Sequence, residues 1–434
     1  MQFLRKLFGL RTAATEPATQ VKTAPPVTAT PVAKSAARIL FAWQEMIDGN
    51  SRIAGYRIQP RAFSDSDSID GNALEECLQQ ENARQFASRR PLLIPLTTSQ
   101  WSATDFSAII ADNTCFLLTD LARQPEPQQW IDAIHAAGAK VAAYHGWSTD
   151  NKDGAADWPV DLLLFDFQEA PLAALEQRLR ALRQRLPAVQ LVADQVCTWP
   201  EHRLCQRLGF TFSIGGFAAS RDEEAPTGKI SESRLVVIDM LNQIRSDAAL
   251  KDIASTAMRD PAVVVKLLDM ANSPLYGLPR KVAGIEEAIM LLGRDALYRW
   301  LSLAMFHIEA DNGRDHTLLV IALCRGALLE GLVGNADRQR ADELFLVGLL
   351  SVIDCLLGQP MADILNRIRL PEQVAAVLLR NEGPYARYLQ LAIMIERCRL
   401  DQAVVLAGAM QIAPAALIDC YREALGWASG ELGK

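Results

Sequence analysis

Residues that could support catalysis are few and scattered along this chain of 434 residues. Cys197 and His202 are close in sequence, but no third residue is evident that would orient the imidazole as a general base. Gly215-Gly216 lacks the Lys and Ser/Thr that follow the glycines of a phosphate-binding loop. No Gly-x-Ser-x-Gly segment marks a serine nucleophile. The sequence therefore offers no self-contained catalytic motif.

Two carboxylates end apolar runs in the first half of the chain. Asp166 follows the run 162–165, and Asp194 lies in the run 191–196. Hard divalent cations prefer oxygen ligands of this kind, and bound cations can generate an attacking hydroxide. We predict no metal site and no cofactor.

Net charge, cysteine spacing and the lengths of apolar runs limit the partners and the location that the sequence predicts. The net charge is −7, which does not favour a nucleic-acid partner. The eight cysteines include no Cys-x-x-Cys pair and are predicted to be reduced core residues. No apolar run approaches the roughly 18 residues of a spanning helix, so we predict no transmembrane segment and a cytoplasmic location.

Apolar runs alternate with helical patterns from Ile39 to about Ile214. This alternation predicts a parallel α/β sheet, either open or closed into a barrel, and periodicity does not choose between the two. The strand-like runs are 53–58, 91–96, 115–118, 140–144, 162–165, 191–196 and 210–214, and the helical patterns are 73–87, 127–137, 172–186 and 201–208.

Both ends of this region resemble the EAL domain, a barrel-like family whose active members hydrolyse cyclic di-GMP with divalent metals. AWQEMIDGNSRIAGYRIQPR is similar to its opening hairpin and first strand, and LVADQVCTWPEHRLCQRLGFTFSIGGF to its strand–helix–strand ending. The resemblance places Arg57 where the family has the Glu of its Glu-Ala-Leu motif, and a cation there would oppose metal binding.

Other positions also depart from the EAL pattern. Residues 94–96 and 116–118 are apolar where the family supplies Asn and Glu, and Tyr144-His145 stands near its Asp-Asp pair. Leu164 replaces its Lys, whereas Asp166 is retained and Asp194 is a conservative change. The resemblance therefore implies a degenerate EAL-like domain with no catalytic residues, so that the chain is not an enzyme. Cyclic di-GMP is not favoured as a ligand.

The segment 259–301 predicts three short helices. Asp260 is a suitable N-cap before Pro261, and Asn272 begins a break before a proline. A second helix is expected from Ile285 to Leu292 and a third after Gly293. The second helix carries two glutamates, which does not favour a DNA-reading helix.

This segment resembles the HDOD domain, a helical bacterial signalling module related to the HD metal phosphohydrolases. Arg-Asp-Pro, Ala-Asn-Ser-Pro, Tyr-Gly-Leu and Ala-Ile-Met-Leu-Leu-Gly-Arg carry the resemblance, and LFLVGLLSVIDCLLGQPM extends it. Ser351-Val352 stands where HD enzymes have their metal-binding His-Asp pair, and His316 is better explained as a surface or capping residue. We expect a loop with Asn272, Ser273, Tyr276 and Leu278 to form an interaction surface.

The order of an EAL-like domain followed by HDOD is a known bacterial arrangement. We expect a disordered tail over 1–37, an EAL-like domain over 38–222, a linker over 223–230 and an HDOD domain over 231–434. A weak membrane contact is left open for residues 1–10. The resulting hypothesis is a non-catalytic signalling regulator that binds other regulatory proteins. The alternative is a sensor that binds cyclic di-GMP without hydrolysing it.

Overall fold

The computed structural model describes residues 39–64, 69–145, 158–170, 175–224, 230–272, 282, 284–307, 313–334 and 337–431. Residues 1–37, most of the expected linker, and Ser273, Tyr276 and Leu278 of the expected interaction loop lie outside these ranges.

The first part of the described chain forms a closed barrel of eight strands in sequential order. The first strand is antiparallel to the second and to the eighth, and the other neighbours are parallel. The predicted parallel sheet is thus confirmed, and it is closed rather than open. The strands are β1 (Ile39–Ile47), β2 (Ile53–Ala62), β3 (Leu92–Leu96), β4 (Thr114–Leu118), β5 (Lys140–Tyr144), β6 (Leu162–Asp166), β7 (Gln190–Asp194) and β8 (Phe212–Ile214).

The interior of the barrel is filled by side chains that alternate along the strands. Side chains two residues apart face the same side of a sheet, so one set from each strand points inward. This set forms one buried cluster, which contains Met46, Leu93, Cys115, Leu117, Ala142, Leu162, Leu164, Val192, Phe212 and Ile214. The barrel is therefore a packed core, and polar side chains concentrate at one end of it.

Helices connect the strands, and local sequence signals fix several of their ends. Thr97 with Gln100 and Thr198 with Glu201 form capping boxes at two helix starts. Two 3-10 turns lie at Leu121–Arg123 and Phe167–Glu169. The α-helices are α1 (Gly71–Gln80), α2 (Ala83–Ala87), α3 (Thr98–Ala103), α4 (Pro127–Ala136), α5 (Leu175–Arg185) and α6 (Trp199–Arg207).

The described residues pack as two units. One unit holds the residues between 231 and 308, and the other combines the barrel with the residues from 309 onward. The first unit contains α7 (Glu232–Arg245), α8 (Leu250–Ala257), α9 (Pro261–Ala271) and α10 (Ile285–His307). One division between the units falls between Ile230 and Ser231, and the expected linker over 223–230 stays a prediction. The grouping of residues 231–434 into one domain stays a prediction.

The helices of the first unit follow the local signals of the sequence. The Asp260 carboxylate accepts a hydrogen bond from the Ala262 N–H at 2.8 Å at the start of α9. Gly293, with φ of 72°, interrupts α10 where the sequence predicts a break between two helices. Asn272 follows the last residue of α9.

The C-terminal helices pack against the barrel. They are α11 (Gly313–Val333), α12 (Arg338–Leu350), α13 (Ile353–Leu357), α14 (Met361–Leu365), α15 (Glu372–Arg380), α16 (Ala386–Glu396), α17 (Leu400–Ala409) and α18 (Pro414–Glu431). Helices α16 and α18 contact β1, and the Trp43 N–H donates to the Tyr421 hydroxyl at 3.3 Å. Among the described residues, α11 alone has the length and apolar composition to cross a membrane. In this structure, 72% of its most apolar 18-residue stretch is buried. That burial is typical of a core helix.

Candidate functional site

A polar cluster lies at the carboxyl end of the barrel. Tyr144 and Asp194 are the last residues of β5 and β7, two positions beyond the interior residues Ala142 and Val192. Because inward-facing residues recur every second position, their side chains point into the mouth of the barrel. Arg57 on β2 reaches the same place from deeper in the sheet.

Hydrogen bonds join these side chains into one network. Arg57 forms an ion pair with Asp194 through one guanidinium nitrogen, and that nitrogen also donates to the Tyr144 hydroxyl at 3.2 Å. The other terminal nitrogen donates to the Gln44 side-chain oxygen at 2.6 Å, and Gln44 is the register partner of Arg57. The Tyr144 hydroxyl donates to the Asp194 carboxylate at 3.1 Å. We call Gln44, Arg57, Tyr144 and Asp194 the mouth network.

Burial sets the electrostatics of the mouth network. Arg57 and Asp194 are each only 3% exposed, whereas Tyr144 is 44% exposed and forms the outer edge. Burial acts to lower the pKa of Arg57, but the charge and hydrogen bond of Asp194 outweigh it and the pKa rises. Burial, followed by the balance of its charged neighbours, raises the pKa of Tyr144 to about 12. Arg57 is therefore cationic and Tyr144 neutral at physiological pH.

The described residues of the mouth do not fit a pair of divalent metals. The Asp194 carboxylate is already bonded by Arg57, and Asp166 is its register partner on β6. No group of three or more His, Cys, Asp or Glu side chains with metal-binding geometry occurs among the described residues. We derive no chemical step through a metal here.

A second polar cluster lies on the other face of β1. Glu45 is a neighbour of Gln44 in sequence, so it points out of the barrel toward the C-terminal helices. It lines a cavity of about 20 Å³ with Arg325 and Glu396, too small for any ligand larger than a water molecule. Burial first, and then the charge of Glu396, raise the pKa of Glu45 to about 8. Sequence patterns gave no signal for this cluster, because its members come from three distant segments.

Arg325 on α11 is buried and bonds to Ser351, which stands where the sequence resemblance puts the His-Asp pair of HD enzymes. It forms a two-pronged ion pair with Glu396 at 2.7 and 2.9 Å, and donates to the Ser351 hydroxyl at 2.8 Å. Ser351 also donates to the Gly348 carbonyl. The position expected for a His-Asp pair is thus part of an internal polar network. His316 lies in the first turns of α11.

Within the expected interaction loop, the structure describes Asn272. Its side-chain amide donates to the carbonyl oxygens of Leu268 and Val282 at 2.8 Å each, and its oxygen accepts from the Val282 N–H at 2.6 Å. Asn272 therefore holds the end of α9 against Val282, a structural role that the sequence did not reveal.

The chain matches the model of one protein family and several known proteins. Residues 231–370 match the HDOD domain. A relative named Uncharacterized protein YuxH, from Bacillus subtilis, is 26% identical over 62% of this chain and 65% of that protein. Cyclic di-GMP phosphodiesterase CdgJ from Vibrio cholerae is 22% identical over 48% of each chain. The chain thus spans less than two thirds of the length of these curated relatives.

The barrel is similar to solved EAL domains. The EAL domain of Xanthomonas citri FimX, solved in complex with c-diGMP, gives a TM-score of 0.33 and 15% identity over 41% of this chain and 85% of that chain.

These matches correct two expectations from the sequence. The expectation that the chain is not an enzyme is contradicted by its similarity to CdgJ, which is named a cyclic di-GMP phosphodiesterase. The expectation that cyclic di-GMP is not favoured as a ligand also conflicts with the name of that relative. The fold class and the two-domain resemblance are confirmed. Residues 231–370 are an HDOD domain, and they follow a closed barrel in a chain related to cyclic di-GMP signalling proteins.

Proposed function

We propose that this protein is a regulator in cyclic di-GMP-related signalling that works by binding other proteins through its HDOD domain and its barrel. The observation that carries the proposal is the mouth network. Its guanidinium, carboxylate and hydroxyl groups bond to one another at the end of the barrel where parallel strands present functional residues. Because the side chains of the mouth network bond to one another, they hold this end of the barrel in one arrangement that a partner protein can contact.

We further propose that the loop after α9 is one contact surface of the HDOD domain. Asn272 bonds to Val282, so the two described residues that flank this loop are held together. Tyr276 and Leu278 are the contact residues in this proposal, and they lie outside the described residues. An aromatic and an aliphatic side chain are suited to anchor a partner in a pocket.

Affinity purification of the intact protein with cross-linking and mass spectrometry tests the proposal. We expect defined partners whose cross-links reach the segment 272–284, and their loss in Tyr276→Ala/Leu278→Ala. Leu379→Ala is the matched control, because Leu379 is 42% exposed on α15. Partners captured equally by the loop variant would show that this surface is wrong, and absence of reproducible partners would oppose the function itself.

Binding of cyclic di-GMP by the barrel is the second candidate. The similarity to CdgJ favours it, and the mouth holds the exposed ring of Tyr144 beside the buried cation of Arg57. Calorimetry with cyclic di-GMP tests this candidate, and a low-micromolar or tighter Kd lost in Arg57→Ala would support it. Turnover of cyclic di-GMP with Mg²⁺ or Mn²⁺, measured in parallel, tests whether the activity of that relative extends to this chain.

A further inference from the structure

A groove lies between α5 and α6, on the outside of the barrel and away from the mouth network. It has a volume of about 550 Å³. Its lining combines three arginines with three leucines and a single carboxylate, from Glu176, Leu179, Arg180, Arg183, Gln184, Leu204, Arg207 and Leu208. The chain as a whole carries a net charge of −7, so this groove reverses the sign of the molecule locally.

The three guanidinium groups differ in how they are held. Arg180 pairs with Glu176 at 2.8 Å, but both side chains are more than 70% exposed, so the pair is readily exchanged for another carboxylate. Arg183 donates to the Leu208 carbonyl and lies over Gly209, where any side chain would collide with its guanidinium. This anchors one cation across the groove.

Arg207 supplies a cation that is still available. It is exposed near the end of α6, and it makes no hydrogen bond or ion pair with any residue that the structure describes. Arg180 and Arg183 are three positions apart on α5 and therefore share one helix face. The groove thus has one anchored arginine, Arg183, and two exposed ones, Arg180 and Arg207.

The floor of the groove is apolar. Leu179 is buried, and Leu204 and Leu208 are partly exposed one helical turn apart. A floor of leucine side chains under a rim of guanidinium groups matches a chain that carries apolar residues on one side and carboxylates on the other. A bare phosphate would leave the leucines uncovered, and a flat lipid surface would not enter a groove.

We propose that the groove between α5 and α6 binds an acidic amphipathic segment of a partner protein. Carboxylates of that segment accept hydrogen bonds from Arg180, Arg183 and Arg207, and its apolar side chains cover Leu204 and Leu208. The inference rests on the proposed role in protein binding, for which it names a surface and a class of partner.

Fluorescence anisotropy with the full chain tests the proposal. The probe is a labelled peptide of four Glu-Glu-Leu repeats. Its length of ~12 residues suits a groove between two helices of this length. We expect binding that weakens as salt rises, because the contacts are exposed charges. Arg180→Glu/Arg207→Glu should weaken binding by about tenfold or more, since two favourable pairs become repulsive. Arg183 is left intact there because it holds the end of α6.

Matched controls make the result specific. Arg89→Glu/Arg123→Glu gives the same charge change at exposed sites elsewhere on the barrel, and binding should be unchanged. Leu204→Ser should weaken binding of the peptide without changing the charge of the groove. The same peptide with Lys in place of Glu should not bind.

Three outcomes would overturn the proposal. The first is that the acidic peptide does not bind, and the second is that Arg180→Glu/Arg207→Glu binds it as well as the wild type does. The third is that the groove binds vesicles of anionic phospholipid in preference to the peptide. A further result would separate this inference from the proposed function. If Arg180→Glu/Arg207→Glu still captures partners and Tyr276→Ala/Leu278→Ala does not, the groove is not the binding site, but the proposed function still holds.

Discussion

The guanidinium of Arg57 is 3% exposed, and a charge at that depth is stable only because three side chains surround it. Asp194 supplies the opposite charge, and Gln44 and Tyr144 supply oxygens. Moving either ion alone out of water costs several kcal/mol, so the pair is stable as a unit and costly to break. Sequence comparison placed both residues at the mouth, but it could not show that they bond to each other.

Asp194→Asn is expected to lower the free energy of unfolding by about 3–5 kcal/mol, because it leaves the Arg57 charge buried without a counter-ion. Urea denaturation followed by circular dichroism measures the change. The double variant Arg57→Met/Asp194→Leu removes both charges and should recover most of the loss. A single variant as stable as the wild type would contradict the burial argument.

Glu45 gives the protein a distinct dependence on pH. Its pKa in the folded state is about 8, against a value of 4.5 for a free side chain, so folding favours the protonated form. The stability from this group is complete below pH 4.5 and is lost as pH rises toward 8. Arg325, Glu396, Cys324 and Tyr421 line the same cavity.

Glu45→Gln should therefore raise the melting temperature at pH 8 by a few degrees and change it little at pH 4.5. A series of thermal melts between these values checks the trend. The exposed Glu382 provides the control, since its replacement by Gln should give a difference that does not vary in this way. A Glu45→Gln variant that is less stable at pH 8 would show that the carboxylate is charged in the folded protein.

At the scale of elements, two glycines allow α11 and α12 to pack closely. A side-chain carbon on Gly348 would lie 2.4 Å from the backbone nitrogen of Gly326, and one on Gly326 would lie 3.0 Å from Phe345. Backbone cannot move aside as a flexible side chain can. The crossing of these helices therefore requires glycine at position 348.

Gly348→Ala should lower the free energy of unfolding by about 1–3 kcal/mol, the range typical of overpacked cores. Gly426→Ala is the matched control: it lies in α18 with no atom within 4 Å of the added carbon. That change should be neutral or stabilising by up to ~1 kcal/mol, as alanine favours helix more than glycine does. Equal effects of the two substitutions would contradict the close approach.

Several elements were readable from local patterns, and others were not. Apolar runs predicted most strands, and Gly293 predicted the break inside α10. The short helix α3 was not predicted, since six residues carry too little periodicity, whereas α2 lies inside the helical pattern predicted over 73–87. Thr97 and Gln100 form a capping box at α3, and that spacing is the signal that could have revealed it.

At the scale of the whole molecule, the order of sequence motifs did not predict which segments pack together. The HDOD match covers 231–370, yet the described residues after 309 group with the barrel. Contacts between Trp43 and Tyr421 join positions 378 residues apart. Sequence patterns do not predict such pairings, because they show that a strand or helix has an apolar face but not which other element covers it.

Ending the chain at residue 308 should therefore unfold the barrel. The truncation uncovers the face of β1 that α16 and α18 bury, along with Trp43 and Glu45. We expect loss of the near-ultraviolet circular dichroism of the barrel and rapid amide exchange in β1. A truncated chain with a native-like cooperative melt would show instead that the barrel is independent of the C-terminal helices.

The distant partners of β1 also have a consequence for biosynthesis. β1 pairs early with β2, but β8, which closes its other edge, and Tyr421, which bonds to it from the C-terminal helices, are made later. At roughly 5–20 residues per second, the 378 residues between Trp43 and Tyr421 take about 20–75 seconds to translate. During that interval the outer face of β1 lacks its C-terminal partner in the nascent chain. Its protection by chaperones, or the pace of translation, therefore bears directly on the yield of folded protein.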